Sequence, residues 1–288
     1  MSVQKYLRKA LKAPLNWALQ MPIVRSKVIF ELKQKHYAEL DLEIPLNYGL
    51  RCPISSFEYW YSFGEVFLDA EYEAAWACMP VPTKWLDIGC HAGFFSLSVV
   101  RSRAKLHLSS DYSALLIDAD SRVRLAVQKL INLNEIGNKL TFKHGALSAK
   151  TGSIEFRERG FMSSSADELG ENKGPVRKVP VISEEQIMEL FTPPYDLVKI
   201  DIEGSEFDFM RAYGKILKSS THLIIEWHSW GGSEEQIREA AEIVGFRLLL
   251  EMVPARPVQH SGRSARCGVL LFKKSDGIPK ILKSKQDV

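Results

Sequence analysis

From residue 84 onward, short apolar runs alternate with amphipathic stretches, and this alternation constrains the fold more than any other feature of the chain. The runs are Lys84–Ile88, Ala114–Asp118, Leu140–Gly145, Leu197–Asp201, His222–Glu226, Arg247–Val253 and Gly268–Phe272. Helical periodicity falls between them at 93–103, 121–134, 183–191, 204–218 and 233–244. A helix between two strands returns the chain to the same end of a sheet, so such strands pair in parallel. The pattern therefore predicts an α/β fold with helices on both faces of a mostly parallel sheet. The last two runs have no helix between them and are expected to form an antiparallel pair at one edge. In such a sheet a ligand sits beyond the carboxyl ends of the strands, where strand order reverses.

Four segments are expected: a basic amphipathic helical extension over 1–40, a lead-in over 41–80, the sheet domain over 81–275 and a basic tail over 276–288. The total charge of +3 conceals their difference. Residues 1–40 carry eight basic and two acidic side chains, a net +6, while 41–272 carry 25 basic and 31 acidic, a net −6. An acidic body argues against nucleic acid as a partner. The values of 45% hydrophobic and 25% charged residues argue against disorder. Leu7, Leu11, Leu15, Ala18 and Leu19 recur at helical spacing with Lys and Arg between them. That helix suits packing on the body, a homodimer contact or a peripheral contact with an anionic membrane surface. In the lead-in, 42–54 reads as a hairpin turning at Asn47-Tyr48-Gly49, and 55–76 is rich in aromatic residues.

No apolar run approaches the roughly 20 residues of a membrane helix, and Lys5, Arg8, Lys9 and Lys12 interrupt any secretory core. Cys52, Cys78, Cys90 and Cys267 form no Cys-x-x-Cys pair, so neither a disulfide framework nor a structural zinc is expected, and the reducing cytoplasm is the default compartment.

The strand ends carry the chemistry. The first reads Asp87-Ile88-Gly89-Cys90-His91-Ala92-Gly93, in which Gly89 allows a tight turn and Gly93 lets the helix start against the strand. A nicotinamide-dependent oxidoreductase would need Gly-x-Gly-x-x-Gly here, and it is absent. The second ends in Asp118, placed to accept hydrogen bonds from the hydroxyls of a ribose, with Asp120 as runner-up because it is also placed to cap the next helix. At the third, the backbone of Gly145-Ala146-Leu147 is placed to border a planar base, with Ala146 or Leu147 against a ring face. The fourth gives Asp201-Ile202-Glu203-Gly204-Ser205-Glu206. Its acids either complement the next helix's N-terminus or, less specifically, hold Mg²⁺ through Asp201, Glu203 and Glu206; no metal is assigned. After the fifth, alternation puts Glu226 and His228 on one side of the chain, where His228 is either a general base or a hydrogen-bonded structural residue.

Together these residues resemble the FkbM family of S-adenosylmethionine-dependent methyltransferases. The resemblance rests on Leu86 through Ser96, Asp118 with the helix ending Asn132-Leu133-Asn134, Gly145-Ala146-Leu147-Ser148, Thr151 through Phe156 and, most specifically, Val198 through Glu206, with Phe63 through Tyr72 upstream. His91 stands where the family often has Asn, and Asp118-Ala119 where Glu-Pro is usual. The resemblance implies a Rossmann-like sheet of seven strands and O-methylation of a small-molecule, polyketide or glycan hydroxyl. It implies cofactor contacts at Asp87, Gly89, Cys90, His91, Gly93, Phe94, Asp118, Ala119, Gly145, Ala146, Asp201 and Glu203. Asp201 would lie near the reacting methyl, with His228 or Glu226 as base. The alternative is a scaffold module that binds the cofactor without turnover. A nucleic-acid methyltransferase is disfavoured, since no Asn/Asp-Pro-Pro-aromatic motif follows the fourth strand.

Overall fold

The computed structural model describes residues 35–158, 175–260 and 263–275. The helix expected near the N-terminus lies almost wholly outside the described residues, and the basic tail wholly so; 35–40 are helical. No helix among the described residues is long and apolar enough to cross a membrane.

The lead-in begins with the hairpin of β1 (Leu42–Pro45) and β2 (Arg51–Ile54), turning through Asn47–Gly49. Helix α1 (Phe57–Phe63) follows, capped by Ser56, whose hydroxyl accepts the Tyr59 amide at 3.1 Å. A short helix, α2 (Ala75–Cys78), leads to the sheet.

The sheet domain runs β3 (Lys84–Ile88), α3 (Phe94–Lys105), β4 (Ser113–Asp118), α4 (Val123–Leu133) and β5 (Leu140–His144). It continues through a small hairpin, β6 (Ser153–Arg157) and β7 (Val176–Pro180), then α5 (Glu184–Leu190) and β8 (Tyr195–Ile200). Two short helices, α6 (Glu206–Ala212) and α7 (Gly214–Lys218), precede β9 (Ser220–His228), α8 (Glu234–Ile243), β10 (Phe246–His260) and β11 (Arg263–Lys274).

Seven strands form the main sheet in the order β10-β11-β9-β8-β3-β4-β5. Pairs from β9 to β5 are parallel, while β11 runs antiparallel to both β9 and β10. The seven expected strands are all present. The last two strands form the expected antiparallel pair at one edge, with β10 outermost and β11 inserted between β9 and β10. Strand order reverses between β3 and β8, which locates the switch point.

Strand alternation sorts the side chains into two cores. On β3, Trp85 joins the cluster containing Phe94, Leu97, Leu116, Val127 and Leu130, and Leu86 and Ile88 join the one containing Val198, Ile200, Phe209, Tyr213 and Ile225. Cys52, Ile54, Phe63 and Tyr72 of the lead-in belong to the first cluster, so the lead-in shares a core with the sheet. Both faces are covered, so the central strands read as apolar runs.

The β6–β7 hairpin is absent from the sequence reading as an element, although Thr151 through Phe156 was noted. Its two strands are separated by a long interval, and the second, Val-Arg-Lys-Val-Pro, has only one buried side chain, Val179. Tyr213 ties this region to α6: its hydroxyl donates to Ile182 O at 2.8 Å and accepts the Ser148 amide at 3.1 Å. Tyr213→Phe strips both partners inside the core and should cost about 1–3 kcal/mol, read from the urea midpoint at unchanged slope; an unchanged midpoint would show that these bonds contribute nothing net.

Candidate active site

A cleft of about 810 Å³, open mouth included, lies beyond the carboxyl ends of β3, β4, β5 and β8. Its walls include Gly89, His91, Asp118, Ala119, Gly145, Ala146, Asp201 and Glu203, eight residues expected from the sequence.

The turn after β3 and the turn after β8 touch. A Cβ added to Gly89, whose φ is +70°, would stand 1.5 Å from the Asp201 carbonyl oxygen. Only glycine permits this contact, and the Asp201 amide donates to Ile88 O at 3.0 Å beside it. His91 also takes a left-handed conformation, φ +47°. That region tolerates Asn, Asp and His above other side chains, which accounts for His replacing Asn here.

Asp118 closes β4 with both oxygens on backbone amides, Oδ2 accepting from His91 and Oδ1 from Asp120, each at 2.8 Å. Burial raises its pKa and these bonds oppose the shift. Each oxygen keeps a lone pair for a further donor. Asp120, the runner-up, is held by the Arg122 guanidinium and amide. The apolar side of the cleft combines Val123, Ala146 and Leu147 with Ile154 and Phe156 of β6. These last two were missed as wall residues because nothing local says that the hairpin folds back over the sheet.

Asp87, Cys90, Gly93 and Phe94 lie outside the lining. Cys90 and Phe94 are buried, and Gly93 sits at the start of α3 against Leu116. Asp87 is 0% exposed and points toward α3, where Oδ2 accepts from Ser96 Oγ at 2.7 Å. Its other neighbour was not anticipated. Lys199 on β8 pairs with Asp87 in register, and its ammonium stands 3.7 Å from Asp87 Oδ1. The same Nζ donates to Gly89 O at 2.7 Å and to Asp201 Oδ2 at 3.2 Å. Burial works against this charge, but Asp201, Asp87 and Glu226 outweigh it and hold the pKa above its usual value. The available signal was a lysine inside an otherwise apolar central strand, which must be paired if buried.

The acids after β8 divide. Glu206 is buried and turns back on its own loop, accepting the amides of Ile202 and Gly204 at 3.1 and 3.0 Å. It also binds His228 Nδ1 at 2.9 Å. Glu206 therefore does not join Asp201 and Glu203 as a cation ligand; its oxygens serve the turn. The group that does assemble is Asp201, Glu203 and His228, each with one ligand atom within 4.8 Å of the others'. Trp230 Nε1 donates to Glu203 O at 3.0 Å and fixes the turn.

His228 is 5% exposed. Burial opposes its charge, yet Glu206 and Glu203 together raise its pKa well above the ordinary value. A histidine that holds its proton accepts none, so the environment opposes the general-base role. Glu226 shares the side of β9 with His228, as alternation requires, and stands 4.0 Å from its Nε2. Burial, then Asp201, raises the Glu226 pKa well above the carboxylate range. Burial pushes Glu203 up to about 8, and burial with Glu65 pushes Glu71 of the lead-in up to about 7.

With this geometry in place, the comparisons with known proteins are decisive about family. The model of the methyltransferase FkbM domain matches residues 58–252, most of the chain. The chain belongs to the FkbM methyltransferase family. It is a methyltransferase with a Rossmann-like sheet. Among solved structures it resembles a candidate RNA methyltransferase of Pyrococcus horikoshii at 10% identity and TM-score 0.42, covering 75% of this chain and 83% of that one. A candidate O-methyltransferase of Klebsiella pneumoniae gives 13%, 0.40, 73% and 80%, and an NADB-Rossmann superfamily protein of Streptococcus agalactiae gives 11%, 0.40, 72% and 69%. Likeness at these values carries no argument about substrate. No curated protein matches the chain.

Two substitutions probe the architecture of the FkbM site. Gly89→Ala should cost roughly 2–5 kcal/mol, from left-handed strain and overlap with the Asp201 carbonyl, read as a lowered thermal midpoint; an unaltered midpoint would refute the close contact. Lys199→Met leaves Asp87 buried without its cation and should destabilise by about 3–5 kcal/mol at neutral pH. Asp87 already has a pKa raised by burial, and removing Lys199 raises it further. A raised folded-state pKa favours the protonated form, so the deficit should shrink as pH falls from neutral. A deficit that grew toward acid pH would contradict the pairing.

Proposed function

We propose that this FkbM methyltransferase uses S-adenosylmethionine to O-methylate a hydroxyl on a small-molecule, polyketide or glycan acceptor. The observation that carries the reading is Asp118: a carboxylate at the end of the second strand, pinned by two amides, with its remaining lone pairs available at the switch-point cleft.

The residues present fit that cofactor. Gly89 keeps the turn low against Asp201, so backbone can approach a ligand closely. Asp118 would take both ribose hydroxyls, and Ala146, Leu147, Ile154 and Phe156 would cover the adenine faces. Asp201 puts negative charge at the wall, which suits a ligand carrying a sulfonium and an ammonium. When bound, the cofactor supplies a methyl group whose carbon–sulfur bond breaks toward sulfur as the acceptor oxygen attaches, leaving S-adenosylhomocysteine.

The chain's part is alignment and removal of the hydroxyl proton. Of the three residues expected at the reacting centre, Asp201 faces the cleft, and Glu226 is its neighbour. Asp201 is the carboxylate placed to take the proton, since burial leaves Glu226 holding its own, and His228 positions the turn through Glu206.

Calorimetric titration with S-adenosylhomocysteine tests the central contact. The wild type should bind, and Asp118→Ala should bind roughly ten- to a hundredfold more weakly, the loss of hydrogen bonds to a charged acceptor. Equal affinity would remove Asp118 from the site, and no binding by the wild type would sink the cofactor reading.

A further inference from the structure

Among the described residues, one group of three can offer ligand atoms to a common ion: Asp201, Glu203 and His228. Carboxylates alone at a turn mean little, and the informative member is the histidine. Its side chain is 95% buried and its two ring nitrogens differ. Nδ1 is taken by Glu206 at 2.9 Å. Nε2 has no hydrogen bond among the described residues, and Glu226, at 4.0 Å, lies beyond hydrogen-bond reach.

A buried imidazole anchored through one nitrogen by a carboxylate, with the other nitrogen presented bare, is the arrangement by which proteins orient a histidine toward a metal. The anchor is itself over-determined, because Glu206 also accepts the amides of Ile202 and Gly204 within the turn that carries Glu203. One acid thus fixes two members of the group at once. Asp201 gives Oδ2 to Lys199 and has no hydrogen bond on Oδ1 among the described residues. The Glu203 carboxylate has no hydrogen bond among the described residues and offers an oxygen to the same group.

We propose that Asp201, Glu203 and His228 bind a divalent metal ion at the wall of the cleft. Two carboxylate oxygens favour a hard ion and the imidazole favours a transition metal, and Mn²⁺ satisfies both. The ion would take up His228 Nε2, which has no hydrogen bond among the described residues, and add positive charge beside Glu226, 4.0 Å from that nitrogen. Its task in catalysis, which rests on the function proposed above, is to hold the acceptor oxygen and make its hydroxyl more acidic, with Asp201 as ligand and the released proton passing to solvent at the cleft mouth.

The test uses the full-length protein stripped of metal and titrated with Mn²⁺ alone, bound ion being read from the loss of the free-ion electron paramagnetic resonance signal. One ion should bind per chain. Pulsed measurements on the wild type should show a directly coordinated nitrogen, a readout that needs no variant to fold. Glu203→Gln and His228→Asn should each weaken binding roughly tenfold or more, and Glu206→Gln, which touches no ion, by roughly 10–100-fold through loss of the anchor. No retained Mn²⁺, retained Mn²⁺ with oxygen ligands only, or equal affinity in folded Glu203→Gln and His228→Asn would each overturn the site. S-adenosylhomocysteine binding by the metal-free wild type reads the cofactor proposal separately; Mn²⁺ bound through nitrogen without it upholds the site and overturns only its catalytic task.

Discussion

Two neighbouring strands of the central sheet, β3 and β8, carry polar residues on the same face, and one ammonium holds them together. Lys199 lies opposite Asp87 on β3, and donates to the Gly89 carbonyl and the Asp201 carboxylate. A lysine 4% exposed is sustained only by this many negative partners. Its position decides where the turn after β3 sits relative to the turn after β8, and the cleft opens where those turns meet. Gly89 then has no room for a side chain, and Asp201 faces the cleft.

The acids at the switch point share one strip of the molecule but do different jobs, set by what each carboxylate touches. Asp118 spends one lone pair of each oxygen on amides and faces the cleft with the rest. Glu206 spends its oxygens on its own turn and on His228. Asp87 is consumed by Ser96 and Lys199. Burial of the remaining acids, Glu203 and Glu226, raises their pKa values because low-dielectric surroundings penalise charge faster than the nearby cations relieve it. The site is thus short of positive charge, a property that a cationic cofactor and a divalent ion would both meet.

Local signals reach a definite distance and stop. Hydrophobic period and turn chemistry are properties of adjacent residues, so the seven strands, the helices between them and the hairpin at Asn47–Gly49 were legible from the chain. So were Asp118, Asp201 and Glu203 as lining of the cleft, because Asp118 closes β4, Asp201 and Glu203 follow β8 in its turn, and ligands gather beyond strand ends in this class of sheet. The insertion of β11 between β9 and β10 was not legible, since nothing in a strand's own residues names its neighbours. The β6–β7 hairpin was missed as an element for the same reason.

What the sequence determined by itself is the class of fold, the face on which ligands gather and the family motifs that mark a methyltransferase. The tertiary structure decided the roles. It turned Asp87 away from the cleft and gave it Lys199, turned Glu206 inward to serve the turn, and brought His228 from β9 to Asp201 and Glu203 across about 25 residues of chain. The physical reason is the range of the forces involved. Pattern and propensity act along the chain, whereas desolvation and charge pairing act through space, and only a packed sheet settles which groups share the same dry volume.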